Sequence, residues 1–217
     1  MRIYVINLKR RADRWTQMTN DYGSTLHRIE AVDGNDPQLN LASANFCTPS
    51  ETACWISHQK AMETMISNGD EFALILEDDA LINPKFSVSD VILQSTDFMK
   101  SSNIDLLQLG FFQGLGRKKS LLVKLRLLKQ KEVPLDFLRD AQPNQHGIGT
   151  HAYMISRGGA EKLIQINRPV FLAADAALMY IAQGQSKAQR IRIWQIQNSI
   201  FSQRPITSSN NSDVQSL

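Results

Sequence analysis

The chain has 217 residues, 42% of them hydrophobic and 21% charged, with a net charge of +3. That length supports one sizeable core and, by the length prior, one domain. The charge excess is too small to argue for a nucleic-acid partner. Two cysteines are too few for a disulfide-stapled secreted scaffold. No apolar run approaches the roughly 18 residues that span a bilayer.

From the first residue, Arg2 to Leu8 alternates and is rich in β-branched residues, which predicts a buried opening strand. Its apolar part is shorter than a signal-peptide core, so the expected location is cytoplasmic, and Cys47 and Cys54 are expected as reduced thiols. Arg10 to Tyr22 suits a helix. His27 to Val32 reads as a second strand, closed by the turn signal Asp33-Gly34. Residues 35–49 read as loop. Thr48 with Glu51 fits a capping box, with Pro49 at the first helical position. That helix should run to about Asn68 and stop at Gly69. Glu71 to Leu76 is the next strand, almost continuously apolar, and it ends in Glu77-Asp78-Asp79. Further strands are expected at Asp105–Leu109, Ala152–Ile155 and Arg190–Trp194, with a helix from about Gly158 to Ile166. Strands alternating with helices predict an α/β layered fold with a mainly parallel sheet flanked by helices.

The three acids carry the strongest chemical signal. Ligands of open α/β sheets bind at the carboxyl ends of strands, and three carboxylates at the end of a buried strand call for an offsetting positive charge. Mg²⁺ or Mn²⁺ suits such oxygen ligands together with substrate phosphates. A solvated acidic turn is the bland alternative, but the apolar runs on both sides, Ala73–Leu76 and Ala80–Ile82, weigh against it.

Several blocks, in order, resemble glycosyltransferase family 25, the family of bacterial lipooligosaccharide galactosyltransferases and collagen galactosyltransferases. They are Ile6-Asn7-Leu8-Lys9-Arg10-Arg11-Ala12-Asp13-Arg14, Ala31-Val32-Asp33-Gly34, Cys54-Trp55-Ile56-Ser57-His58, Leu74-Ile75-Leu76-Glu77-Asp78-Asp79-Ala80, and Gly149-Thr150-His151-Ala152-Tyr153-Met154-Ile155-Ser156 with Gly159-Ala160. Asp175 follows Pro169-Val170. The resemblance implies a GT-A-like single domain over residues 1–205, with 206–217 as a flexible tail. It also implies a UDP-sugar donor, usually UDP-galactose, inversion at the anomeric carbon, and dependence on Mn²⁺ or Mg²⁺.

Within that frame each residue has a candidate role. Asp78 and Asp79 are metal or donor-ribose contacts, with Glu77 orienting them and His151 as a third metal ligand. Arg11 and Arg14 suit bidentate phosphate contact, whereas Lys9 and Arg10 are assigned to a solvated helix face. Asn7 and Asp33 are placed at the base or ribose, and Ser57 and His58 at the donor. Asp175, in an apolar stretch, is the leading general base, since desolvation raises a carboxylate's basicity. It is also a good helix N-cap, and the two readings are compatible.

Residues 117–131 hold seven cations, six aliphatic residues and no acid. They form either a solvated connector or an amphipathic element lying on anionic membrane near a lipid-linked glycan acceptor. Rival readings of the whole chain are a nucleotidyltransferase or metal-dependent phosphohydrolase, which would use the same acids, and a non-catalytic nucleotide- or carbohydrate-binding module. The intact acidic triplet argues against the last.

Overall fold

A computed structural model describes residues 1–36, 47–112, 134–183 and 191–204. The basic stretch at 117–131 and the expected boundary at 205/206 fall outside the described residues.

Among the described residues, nine strands form one mixed sheet: β1 (Ile3–Asn7), β2 (His27–Glu30), β3 (Phe72–Glu77), β4 (Ala80–Ile82), β5 (Leu106–Gly110), β6 (Gln142–Pro143), β7 (Ala152–Ser156), β8 (Ile193–Gln195) and β9 (Phe201–Gln203). The main order is β2-β1-β3-β7-β5-β8-β6, while β9 joins β4 to β5. β1 runs parallel to β2 and β3, and β8 and β9 run parallel to β5. β7 is inserted antiparallel between β3 and β5. Most of the described strands thus run one way, as the GT-A-like expectation requires, while β7 at the centre and the short β4 and β6 run the other way.

Alternation explains why the central strands are apolar throughout. Ile3, Val5, Leu74 and Leu76 face one core cluster with Met18, Val91 and Met99, from α1 (Ala12–Tyr22) and α3 (Val88–Ser101). Tyr4, Ile6, Ala73 and Ile75 face the opposite cluster with Trp55, Met62, Leu163 and Leu178. Those come from α2 (Pro49–Ser67), α4 (Arg157–Ile166) and α5 (Ala174–Ala182). Both faces are covered, so neither face of β3 can be polar. Each fully buried aliphatic side chain contributes about 1.5–3 kcal/mol. Among the described residues, no helix is long and apolar enough to cross a membrane.

Local chemistry sets the ends of α2. The Thr48 hydroxyl accepts from the Glu51 amide, the Glu51 carboxylate accepts from the Thr48 amide at 2.7 Å, and Pro49 occupies the first turn. Gly69 takes the left-handed conformation just beyond the helix (φ +76°). Gly34 answers a different demand: a Cβ there would lie 2.6 Å from Ser50 Cα, so the Asp33-Gly34 turn can press against the start of α2. α3, capped by the Ser87 hydroxyl, is an element that the sequence reading does not anticipate. Nor does it anticipate the short strands β6 and β9.

Candidate functional site

The register puts the carboxyl ends of β1 and β3 side by side, with Ile6 opposite Glu77. Because β7 runs the other way, its start meets the end of β3, and the Glu77 amide donates to the His151 carbonyl at 3.0 Å. β9 closes the third side, where the Arg204 amide donates to the Asp79 carbonyl at 2.8 Å. A cavity of about 540 Å³ opens above this junction. Arg14, Asp33, Ser57, His58, Glu77, Asp78, Asp79 and Asp175 all line it. Asn7, Arg11 and His151 are outside its lining.

The three acids have different surroundings. Glu77 accepts from the Thr150 hydroxyl at 2.6 Å, and His58 Nε2 lies 3.3 Å from its Oε1. That second contact does not meet hydrogen-bond geometry, and His58 Nε2 is buried with no hydrogen-bond partner among the described residues. Burial pushes the Glu77 carboxyl up, but His58 and Thr150 outweigh it and hold the group below its ordinary value. Asp78 is buried. Its Oδ1 accepts from Arg14 at 2.8 Å and its Oδ2 from Asn7 at 2.7 Å. Burial raises its pKa even against the Arg14 charge. Asp79 lies 4.0 Å from Arg14, and its Oδ1 is buried without a partner among the described residues. Burial and then the charges of Glu77 and Asp78 push its pKa up. An orphaned, desolvated carboxylate beside two other acids fits a hard divalent cation, so the residues present suit Mn²⁺ or Mg²⁺ at Asp79.

The other candidates are placed as follows. Asn7 stands behind the cavity and donates to Asp78 and to the Arg11 carbonyl. Arg11 pairs with Asp13 at 2.8 Å. Asp33 pairs with Arg10 at 2.6 Å, and its other oxygen accepts from the Asn35 amide. Ser57 Oγ accepts from the Val32 amide at 2.9 Å, tying α2 to the end of β2. His151 is buried, with Nε2 3.1 Å from the Phe201 carbonyl and its ring edge-on to Phe112. Asp175 lies in the first turn of α5. The N-cap position belongs to Ala173, which makes no side-chain cap. One Asp175 oxygen accepts from the Ala176 amide at 2.8 Å and the other from the Gly149 amide at 3.3 Å. Gly149 (φ +99°) is held in turn by the buried Gln108, whose side chain bonds the backbone of Gly147 and Gly149.

Sequence reasoning missed several lining residues. Arg10, assigned to a solvated face, lines the cavity through its pair with Asp33. Thr150 stands next to His151 in an already suggestive block, so its hydroxyl was within reach of the reading. Arg204, which pairs with Asp21 of α1, gives no local signal at the edge of a Ser-rich tail.

A sequence model of the family described as glycosyltransferase family 25 (LPS biosynthesis protein) matches residues 1–178. A glycosyltransferase 25 family member of Aedes aegypti is 32% identical over 102 residues, 39% of this chain and 17% of that protein. Procollagen galactosyltransferase 2 of Homo sapiens is 28% identical over 184 residues, 76% of this chain and 27% of that protein. The chain therefore spans about a quarter or less of the length of these curated relatives. Among solved structures, a glycosyltransferase involved in the glycosylation of the major capsid of PBCV-1 superposes with a TM-score of 0.46 at 11% identity, covering 94% of this chain and 93% of the other.

Proposed function

The chain belongs to glycosyltransferase family 25, and from that premise we propose that it transfers a sugar from a UDP-sugar, galactose by preference, to a hydroxyl of a glycan acceptor, with inversion. The observation that carries this reading is the orphaned Asp79 carboxylate facing a cavity shared with Arg14 and Asp175.

In the proposed reaction the acceptor oxygen attacks the anomeric carbon, the bond to the diphosphate breaks, and UDP leaves from the opposite face. Asp175 takes the proton from the acceptor hydroxyl, its carboxylate oriented by the amides of Gly149 and Ala176. Asp79 would hold Mn²⁺ or Mg²⁺, which would supply positive charge to offset the departing diphosphate. Asp78 holds Arg14 in place at the cavity wall, where its positive charge favours the phosphates of the donor. Asp33 and Ser57, with the Asp33-Gly34 turn, line the nucleotide end. A glycan acceptor, free or lipid-linked, enters from the Phe112 and Asp175 side.

A donor screen tests the proposal. Purified protein with Mn²⁺ is given a panel of UDP-sugars, and UDP release is measured with and without a galactose- or glucose-terminated acceptor. Acceptor-dependent UDP release is the expected result. Release of inorganic phosphate, or of sugar 1-phosphate with UMP, would instead favour a phosphohydrolase or nucleotidyltransferase.

A further inference from the structure

We infer that Cys54, His58 and Glu77 form a binding site for a thiophilic divalent ion, zinc above all, and that zinc bound there obstructs the donor cavity. The site is distinct from the hard-cation carboxylate Asp79, and only the second half of the inference rests on the proposed function.

Cys54 and His58 are four residues apart on α2 and so share a helix face. Glu77 ends the neighbouring strand β3. One ligand atom from each, thiol sulfur, imidazole nitrogen and carboxylate oxygen, lies within 4.8 Å of the other two. Tetrahedral zinc, with bonds of about 2.1 Å to nitrogen or oxygen and 2.3 Å to sulfur, spaces its ligands roughly 3.5 Å apart. The His58 Nε2 to Glu77 Oε1 separation is already 3.3 Å.

The second observation is the state of the histidine. His58 is 2% exposed, and its Nε2, 3.3 Å from Glu77 Oε1, has no hydrogen-bond partner among the described residues. Its other nitrogen, Nδ1, is 3.0 Å from the Tyr153 hydroxyl. An outer partner on one ring nitrogen with the other left bare is how proteins orient a metal-binding imidazole. Glu77 has its own outer partner in the Thr150 hydroxyl, at 2.6 Å. All three ligands line the cavity, which gives an ion a route in and leaves a fourth position to water. On binding, the Cys54 thiol loses its proton to solvent and the thiolate bonds the metal. A thiolate, imidazole and carboxylate set favours zinc over the all-oxygen preference of Mg²⁺ or Mn²⁺.

Cobalt(II) reports the site without requiring activity. The full chain titrated with Co²⁺ should give a near-ultraviolet thiolate-to-cobalt absorption band that saturates at one equivalent and is erased by zinc. Cys54→Ser should abolish the band, and Cys47→Ser should keep it. Tyr153→Phe should keep the band yet weaken zinc binding about tenfold, measured by calorimetry. A native protein without the band, or a band that survives in Cys54→Ser, overturns the site. If Cys54→Ser does not fold, loss of the band in His58→Gln decides the same point. Zinc should also weaken UDP binding about tenfold in the native protein. A Cys54-dependent band with zinc-insensitive UDP binding keeps the site and overturns the obstruction. Failure of UDP to bind even with Mn²⁺ counts against the proposed function and leaves the cobalt result standing.

Discussion

Glu77 and Asp79 are two residues apart, are both partly buried, and face the same cavity, yet the protein treats them in opposite ways. Glu77 meets Thr150, two residues before β7, and His58 of α2. Asp79 meets a distant Arg14 and, among the described residues, keeps Oδ1 with no partner. One carboxylate is satisfied by the fold, and its pKa is held down. The other is left with its desolvation cost and the repulsion of its neighbours, and its pKa is pushed up. The contrast teaches that an acidic triplet is not one unit: the fold completes one end and leaves the other for a ligand.

The sharpest way to break this contrast is Asp79→Asn. Removing a cation ligand should cost transfer on the order of 1,000-fold. Without metal the Asp79 carboxyl, its pKa pushed up to about 8, is largely protonated at pH 7, so an amide of the same shape should leave the metal-free melting temperature unchanged or slightly higher. Activity and melting temperature falling together would make Asp79 a structural residue like Glu77.

Next in size is Asp175→Asn, which should lower kcat by roughly 100-fold with little change in UDP affinity, since a base acts only in the chemical step. Calorimetry with UDP and Mn²⁺ beside steady-state kinetics separates the two quantities. Near-normal kcat would hand the base to another group.

On the satisfied side, Thr150→Val keeps the shape and deletes the hydroxyl that bonds Glu77. A hydrogen bond to a charged group contributes about 1.5–3 kcal/mol, so stability should fall by roughly that amount, opposite in sign to Asp79→Asn. Thermal or urea unfolding reads it directly, and an unchanged midpoint would mean that Glu77 finds other partners.

The smallest effect sets the scale. Thr48→Ala removes the α2 cap, which starts the helix carrying Cys54, Ser57 and His58, and should cost about 1 kcal/mol with UDP affinity unchanged. A large loss of UDP binding would show that the helix start, against the Asp33-Gly34 turn, is part of the donor site rather than its support.

Much of this was written locally in the chain. The capping box at Thr48 and Glu51, the Gly69 stop and the apolar runs of β1, β3 and β7 depend on neighbours a few residues away, so pattern alone located them. The acidic triplet at the end of β3 was legible for the same reason, because a buried strand that stops in three acids is a local event. What the reading missed rests on distant partners. The pairing of β9 with β4 brings Arg204 to Asp79 across more than a hundred residues. Asn7 turned out to stand behind the cavity because Asp78 and the Arg11 carbonyl take its amide. The reversed direction of β7 delivers Thr150 to Glu77, and α2 delivers His58. Periodicity identified the elements because hydrophobic burial repeats along the chain. Which acid is satisfied and which is left bare was decided by tertiary packing, since hydrogen bonding and desolvation depend on what lies across the sheet.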